Sequence, residues 1–354
     1  MSAPFALSVL DQSPIAEGST GAQALQNTID LARLVDELGY RRYWVAEHHG
    51  GLSLASTSPE ALIGPIAAAT QGLRVGSGGV MLPHYSPLKV AETFTVLSGL
   101  FPGRIDLGIG RAAGTDGLTA FALQRDRRQA SPDDFPAQLA ELLAYLDDTL
   151  PEDHPFARLA ASLPGRPELP QPWLLGSSLQ SAIWAGELGL PYCFADFINR
   201  DGAEIAARYR ESFVASQRLG THRTAVAAWA LAADTDEEAQ RLAASSRMTF
   251  TLLRRGELIA VPPPEKAVAF LGREERGPSL APAARRAIVG SPERVRAGLL
   301  ELAEEYRAEE VFVVTITYDH GARRRSYELI AEALELEPRE EVRQDYRYRG
   351  APAR

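Results

Sequence analysis

The sequence predicts one (β/α)8 TIM barrel with insertions at its C-terminal face, and three observations carry that prediction. Strand-length apolar runs alternate with helix-period segments eight times. No shift in composition divides the 354 residues into separate units. The first strand runs into Leu10-Asp11-Gln12-Ser13-Pro14, not into the glycine-rich turn that an open doubly wound sheet uses for a dinucleotide. Residues 1–337 therefore read as a single domain and 338–354 as a charged tail.

Each element has a local reason. Phe5–Leu10 is a short apolar strand closed by the turn cluster that follows it. Leu25, Ile29, Ala32 and Val35 then fall on one stripe of a helix that Gly39 caps. Arg42–His48 is the second strand. Ser58-Pro59-Glu60 is a helix start, with serine at the N-cap, proline at the first position and an acid in the first turn. That helix, to Thr70, is apolar almost all round, which predicts burial against a partner, and Pro65 predicts a kink in it. Leu73–Leu82 is the third strand, Pro87–Leu100 a helix and Arg104–Arg111 the fourth strand. A helix from Phe135 to Leu150 precedes a proline-rich connector, Pro151–Pro172. Trp173–Gly176 and Tyr192–Phe197 are the fifth and sixth strands, with helices at Leu179–Leu188 and Gly202–Arg218. Thr224–Ala233 is the seventh strand, and Thr235-Asp236-Glu237-Glu238 is a capping box opening a helix toward Arg254. Glu257–Ala287 reads as irregular. Pro292–Tyr306 is a helix, Glu310–Thr317 the eighth strand and Arg323–Leu336 the last helix.

Composition narrows the class. A net charge of −9 without a basic stripe argues against nucleic acid. The single cysteine, Cys193, rules out an internal disulfide and fits a reducing compartment. No basic residue precedes Arg33, and no apolar run reaches bilayer length, so the expectation is a cytoplasmic protein with no membrane partner.

The chemistry is expected around Tyr43-Trp44-Val45-Ala46-Glu47-His48-His49, an apolar strand surfacing in one acid and two imidazoles. Ligands bind at that end of parallel strands. Side chains alternate, so one histidine faces the ligand side and the other does not. Two neighbouring strands are rich in glycine, with Gly76, Gly78 and Gly79 on the third and Gly108 and Gly110 on the fourth. Such glycines either clear a flat slot for a planar ring or relieve crowding at a barrel corner. At the fifth strand's end, Gly176-Ser177-Ser178-Leu179-Gln180-Ser181 offers backbone N–H groups and three hydroxyls to an anion, or a plain serine N-cap. Arg111 could supply a cation, and together these suggest a phosphorylated planar cofactor. A Schiff-base aldolase is disfavoured, because Lys89 and Lys266 are the only lysines and neither is at a strand end. A metal site drawn from His48, His84 and Glu47 is the weaker reading, and none is assigned.

With the barrel order, Ala46-Glu47-His48-His49, Val75-Gly76-Ser77-Gly78-Gly79-Val80-Met81-Leu82-Pro83 and Phe101-Pro102-Gly103-Arg104-Ile105-Asp106-Leu107-Gly108-Ile109-Gly110-Arg111 in hand, the chain resembles the bacterial luciferase-like monooxygenase family over nearly its whole length. The resemblance implies reduced FMN at the barrel mouth, supplied by a separate flavin reductase, and O2 oxygenating a small organic substrate through a peroxyflavin. It places a catalytic role on His48 with Glu47 beside it, a non-prolyl cis peptide at Gly78-Gly79 under the flavin, and the phosphate on Arg111, Ser178 and Ser181, with Ser177 adjacent. It also implies a homodimer through the second and third barrel helices and a lid at Glu257–Ala287. Gly110, Ser177 and Asp196 depart from the light-emitting luciferase subunit, which puts light emission in doubt. A deazaflavin-dependent hydride-transfer enzyme and a non-catalytic flavin-binding protein are the alternatives.

Overall fold

A computed structural model describes residues 3–111, 116–124, 127–128, 134–199, 201–274 and 286–339. Eight parallel strands close a barrel: β1 Ala6–Asp11, β2 Arg42–Val45, β3 Arg74–Met81, β4 Ile105–Gly110, β5 Gln171–Gly176, β6 Tyr192–Ala195, β7 Thr224–Ala232 and, after a ninth strand β8 at Ala287–Gly290, β9 Glu310–Val314. Closure runs through β9, which pairs with β1 (Ala6↔Glu310) and with β7 (Ala225↔Glu310). Helices α1 Gly21–Glu37, α2 Pro59–Ala69, α3 Pro87–Leu100, α4 Gly117–Leu123, α5 Phe135–Asp147 and α6 Ala157–Ala160 occupy the first half. Helices α7 Leu179–Glu187, α8 Ala203–Glu211, α9 Asp236–Leu253, α10 Pro264–Glu274, α11 Pro292–Tyr306 and α12 His320–Ala333 complete the chain order.

Period-2 alternation sorts the strand residues into two cores. On β2, Tyr43 and Val45 join the outer core under the helices, while Trp44 joins Leu10, Trp173, Trp229 and Phe312 inside the barrel. Trp44 stacks on Phe312 with ring centroids 4.1 Å apart and meets Trp173 edge-on at 5.2 Å. Aromatic rings thus fill the space that branched aliphatics fill in most barrels.

The N-terminal end of the barrel is closed by charge. Arg42 Nη1 donates to Asp106 Oδ2 at 2.7 Å and its Nε to Glu310 Oε1 at 3.0 Å. Arg74 Nη2 lies 2.6 Å from Asp106 Oδ1, and Ser8 Oγ donates to Glu310 Oε1 at 2.5 Å. Buried charges are tolerable only when paired and hydrogen-bonded in this way.

Several expectations need correction. The helix opened by the capping box, α9, packs chiefly on α10 and β8, and α11, which also packs on β8, covers β7, β9, α8 and α12. The segment α9–α10–β8 is therefore an insertion at the C-terminal mouth, since β8 pairs with the last residues of β7 (Trp229↔Ala287 to Ala232↔Gly290). Glu257–Ala287 is not irregular throughout, because Pro264 opens α10 and Ala267, Phe270 and Leu271 pack it on Met248 and Leu252 of α9; residues 275–285 of the expected lid lie outside the described residues. The second strand stops at Val45, short of His48, and α8 stops at Glu211, where Ser216 Oγ instead caps the turn at Arg218 and Leu219. The last barrel strand likewise ends at Val314. Helix α2 runs through Pro65 to Ala69. Of the expected tail, only Pro338 and Arg339 are described, and the Arg339 side chain reaches Asp36. Among the described residues no helix is long and apolar enough to cross a membrane.

Candidate active site

A cavity of about 610 Å³ opens at the C-terminal mouth, and Glu47, His48, Gly78, Gly79, Arg111, Ser177, Ser178 and Ser181 all line it. Its size is that of a site for a cofactor-sized molecule. The eight residues come from four strand ends, as expected where parallel strands deliver side chains to a common rim.

The two histidines do diverge. His49 Nε2 lies 2.8 Å from Glu47 Oε1, and the His49 ring meets His84 edge-on at 6.0 Å. Glu47 is fully buried and also accepts from the Tyr85 hydroxyl at 3.0 Å and, on Oε2, from the Met81 N–H at 2.8 Å. His48 turns to the cavity instead; its backbone N–H donates to the Ser56 carbonyl at 2.9 Å, fixing the chain. Burial, with a smaller contribution from His49, pushes its imidazole down from 6.5 to about 4, so it is neutral at neutral pH. Its buried Nδ1 has no hydrogen-bond partner among the described residues, and neither does the buried Oε1 of Gln12 on the same cavity. Among the described residues no group of three or more His, Cys, Asp or Glu is placed to hold a metal ion.

Crowding accounts for glycines on both strands, including Gly79, where a Cβ would stand 2.8 Å from the Gly108 carbonyl oxygen. Gly78–Gly79 is a cis peptide, and both residues line the cavity with Gly110. Gly76 and Gly108 are demanded by strand proximity, because a Cβ on Gly108 would stand 2.1 Å from the Ser77 carbonyl oxygen and one on Gly76 2.5 Å from that of Asp106. Ser178 is the N-cap of α7, its Oγ accepting from Ser181 N–H at 3.3 Å. Ser181 Oγ also bonds the Ser178 carbonyl at 2.8 Å and the Tyr192 hydroxyl at 3.0 Å. The Arg111 guanidinium lies over Trp184 at 5.9 Å, beside the same helix. The cation thus lies beside α7, whose N-terminal serines line the same cavity as His48, Gln12, Leu10, Leu174 and Leu175.

Sequence reasoning missed Gln12, Tyr85 and Trp184. Gln12 stood within a turn cluster, although a polar residue directly after an apolar strand was a usable signal. Tyr85 follows the 3₁₀ turn Leu82–His84, whose direction the sequence does not reveal.

Comparison with known proteins gives one answer. The profile of the luciferase-like monooxygenases matches residues 5–309. The protein YwcH of Bacillus subtilis (strain 168) is 46% identical over 332 residues, covering 93% of this chain and 98% of that one. N-acetyl-S-alkylcysteine monooxygenase of the same organism is 38% identical over 332 residues, covering 93% and 98%. Among solved structures, apo-MsnO8 superposes with a TM-score of 0.86 at 44% identity, covering 95% of this chain and 99% of that one.

Proposed function

The chain belongs to the luciferase-like monooxygenase family, and from that premise we propose that it is the oxygenating half of a two-protein system. It takes reduced FMN from a separate flavin reductase and uses O2 to oxygenate a small organic molecule. The observation that carries this reading is the convergence of Arg111, the N-terminus of α7, His48 and the Gly78–Gly79 peptide on one cavity with a largely apolar lining.

The residues fit a flat, phosphate-tailed ring. Arg111 and the N–H groups at the start of α7 suit the phosphate, with Ser177, Ser178 and Ser181 around it. Gln12 and His48 suit the polar edge of the ring, beside the Gly78–Gly79 peptide. When bound, reduced FMN supplies the electrons that activate O2. The His48 imidazole, neutral at neutral pH, can hold or give up a proton next to that chemistry. Glu47 is a positioning residue, because its bonds to Met81, Tyr85 and His49 hold the segment that presents His48.

The test is anaerobic titration with reduced FMN followed by rapid mixing with air. Binding, with recovery of oxidised-flavin absorbance slower than for free reduced FMN and faster again in His48→Ala, supports the proposal. Tight binding without any delay favours a flavin carrier, and binding of a deazaflavin in place of FMN favours hydride transfer. The named activity of the 38% identical relative makes an N-acetyl-S-alkylcysteine the first substrate to try. The exposed apolar surface of α2 and α3, with Ala61, Pro65 and Ala68 beside Val96 and Leu100, supports reading these helices as a dimer face.

A further inference from the structure

A second cavity, of about 380 Å³, lies between the barrel mouth and the α9–α10–β8 insertion. It is far larger than the voids that close-packed interiors leave, and it falls in the range of small-molecule sites. Trp229 of β7 and Ile316 after β9 form its floor, and Phe250 of α9 and Leu271 of α10 its roof. The two cavities meet at an aromatic wall. Phe197, which lines the larger one, touches Trp229 edge-on at 5.9 Å, and Trp229 touches Phe250 edge-on at 5.0 Å. Charge is added on one side only. Arg247 and Arg254 of the α9 end line the second cavity, and no aspartate or glutamate does so among the described residues. The Arg247 guanidinium donates to the Gln240 side-chain oxygen.

We propose that this second cavity holds the organic substrate, and that the substrate is an apolar molecule ending in a carboxylate. The apolar body lies on Trp229 and Phe250, and the carboxylate meets Arg247 and Arg254. A charge-assisted bond to a guanidinium, unlike one from a neutral amide, gives the acid the advantage. The Phe197–Trp229–Phe250 wall then sets how far the substrate reaches toward the larger cavity. The assignment rests on the flavin reading of that larger cavity.

Octanoate and octanamide are the probes, titrated calorimetrically into the full chain with and without oxidised FMN. Octanoate is expected to bind about tenfold more tightly than octanamide, the difference of one charge-assisted bond, and equally well with FMN present. Ser246→Trp, which fills the cavity from the half-buried face of α9, should abolish octanoate binding and leave FMN affinity unchanged. Arg247→Gln with Arg254→Gln should make acid and amide bind alike; both positions are exposed, so this variant reads the charge without disturbing the core. Competition between octanoate and FMN, equal binding of acid and amide to the wild type, or unchanged octanoate binding in a folded Ser246→Trp protein would each overturn the proposal. Failure of FMN to bind at all defeats the flavin reading separately, because the octanoate titrations still report on the second cavity.

Discussion

His49 Nε2 lies 2.8 Å from Oε1 of Glu47, and that bond divides two adjacent histidines between different tasks. His49 secures a buried carboxylate, while His48 lines the larger cavity. The first expectations follow from this division.

Burial lowers the His48 pKa from 6.5 to about 4. Between those values the unfolded chain binds more protons than the folded one, so folding stability falls as pH drops through that window and is fully retained above it. His48→Gln removes the titration. Urea midpoints measured from pH 4 to pH 7 should therefore decline less steeply in His48→Gln than in the wild type. Parallel curves would show that His48 is not buried neutral.

Glu47 accepts three hydrogen bonds, and Tyr85 supplies one of them. Tyr85→Phe should cost about 1 kcal/mol, and Glu47→Gln about 1–3 kcal/mol because an amide cannot accept all three. Chemical denaturation gives both values. If the site reading is right, Glu47→Gln also weakens flavin binding without Glu47 touching the ligand.

Arg111→Gln should erase the preference for FMN over riboflavin while leaving riboflavin affinity nearly unchanged. Fluorescence titration with both flavins reads the ratio. Ser178→Ala removes the α7 N-cap and should cost about 1 kcal/mol of stability.

Two glycines one residue apart from each other should differ sharply. Gly108→Ala places a methyl 2.1 Å from a fixed carbonyl oxygen, whereas at Gly110 the nearest atom is the Met81 sulfur at 3.4 Å, on a flexible side chain. Gly108→Ala should give little folded protein, and Gly110→Ala a melting temperature close to that of the wild type. Comparable losses at both would mean that the strand spacing differs from that described.

Val96 and Leu100 on α3 are 44% and 65% exposed. Val96→Glu with Leu100→Glu should shift the mass measured by light scattering from dimer to monomer if α2 and α3 self-associate. A wild-type monomer would remove that interface altogether.

The barrel was legible because strand runs and helix stripes differ in period, and because Ser-Pro-Glu and Thr-Asp-Glu-Glu starts fix helix ends locally. Arg111, Ser178 and His48 were legible because each sits just past an apolar strand. What sequence could not supply was direction across the mouth. Nothing in the spacing of Thr235–Arg254 distinguishes a helix wrapped on the barrel wall from one folded over its opening; the packing of Met248 and Leu252 against α10 decides it. In the same way, Gln12 joins the cavity and Tyr85 the Glu47 carboxylate through loop geometry that no local pattern gives.

Arg42, Arg74, Asp106 and Glu310 tie strand beginnings together at the end away from the ligand cavities, and none of the four lines either cavity. The groups that keep the strands in register and the groups that meet small molecules are thus disjoint sets. Loops over the opening can be exchanged, lengthened or recharged to suit another molecule while the closure at the far rim stays as it is. A scaffold partitioned in this way lets one selective pressure preserve shape at one pole while another rewrites preference at the opposite pole.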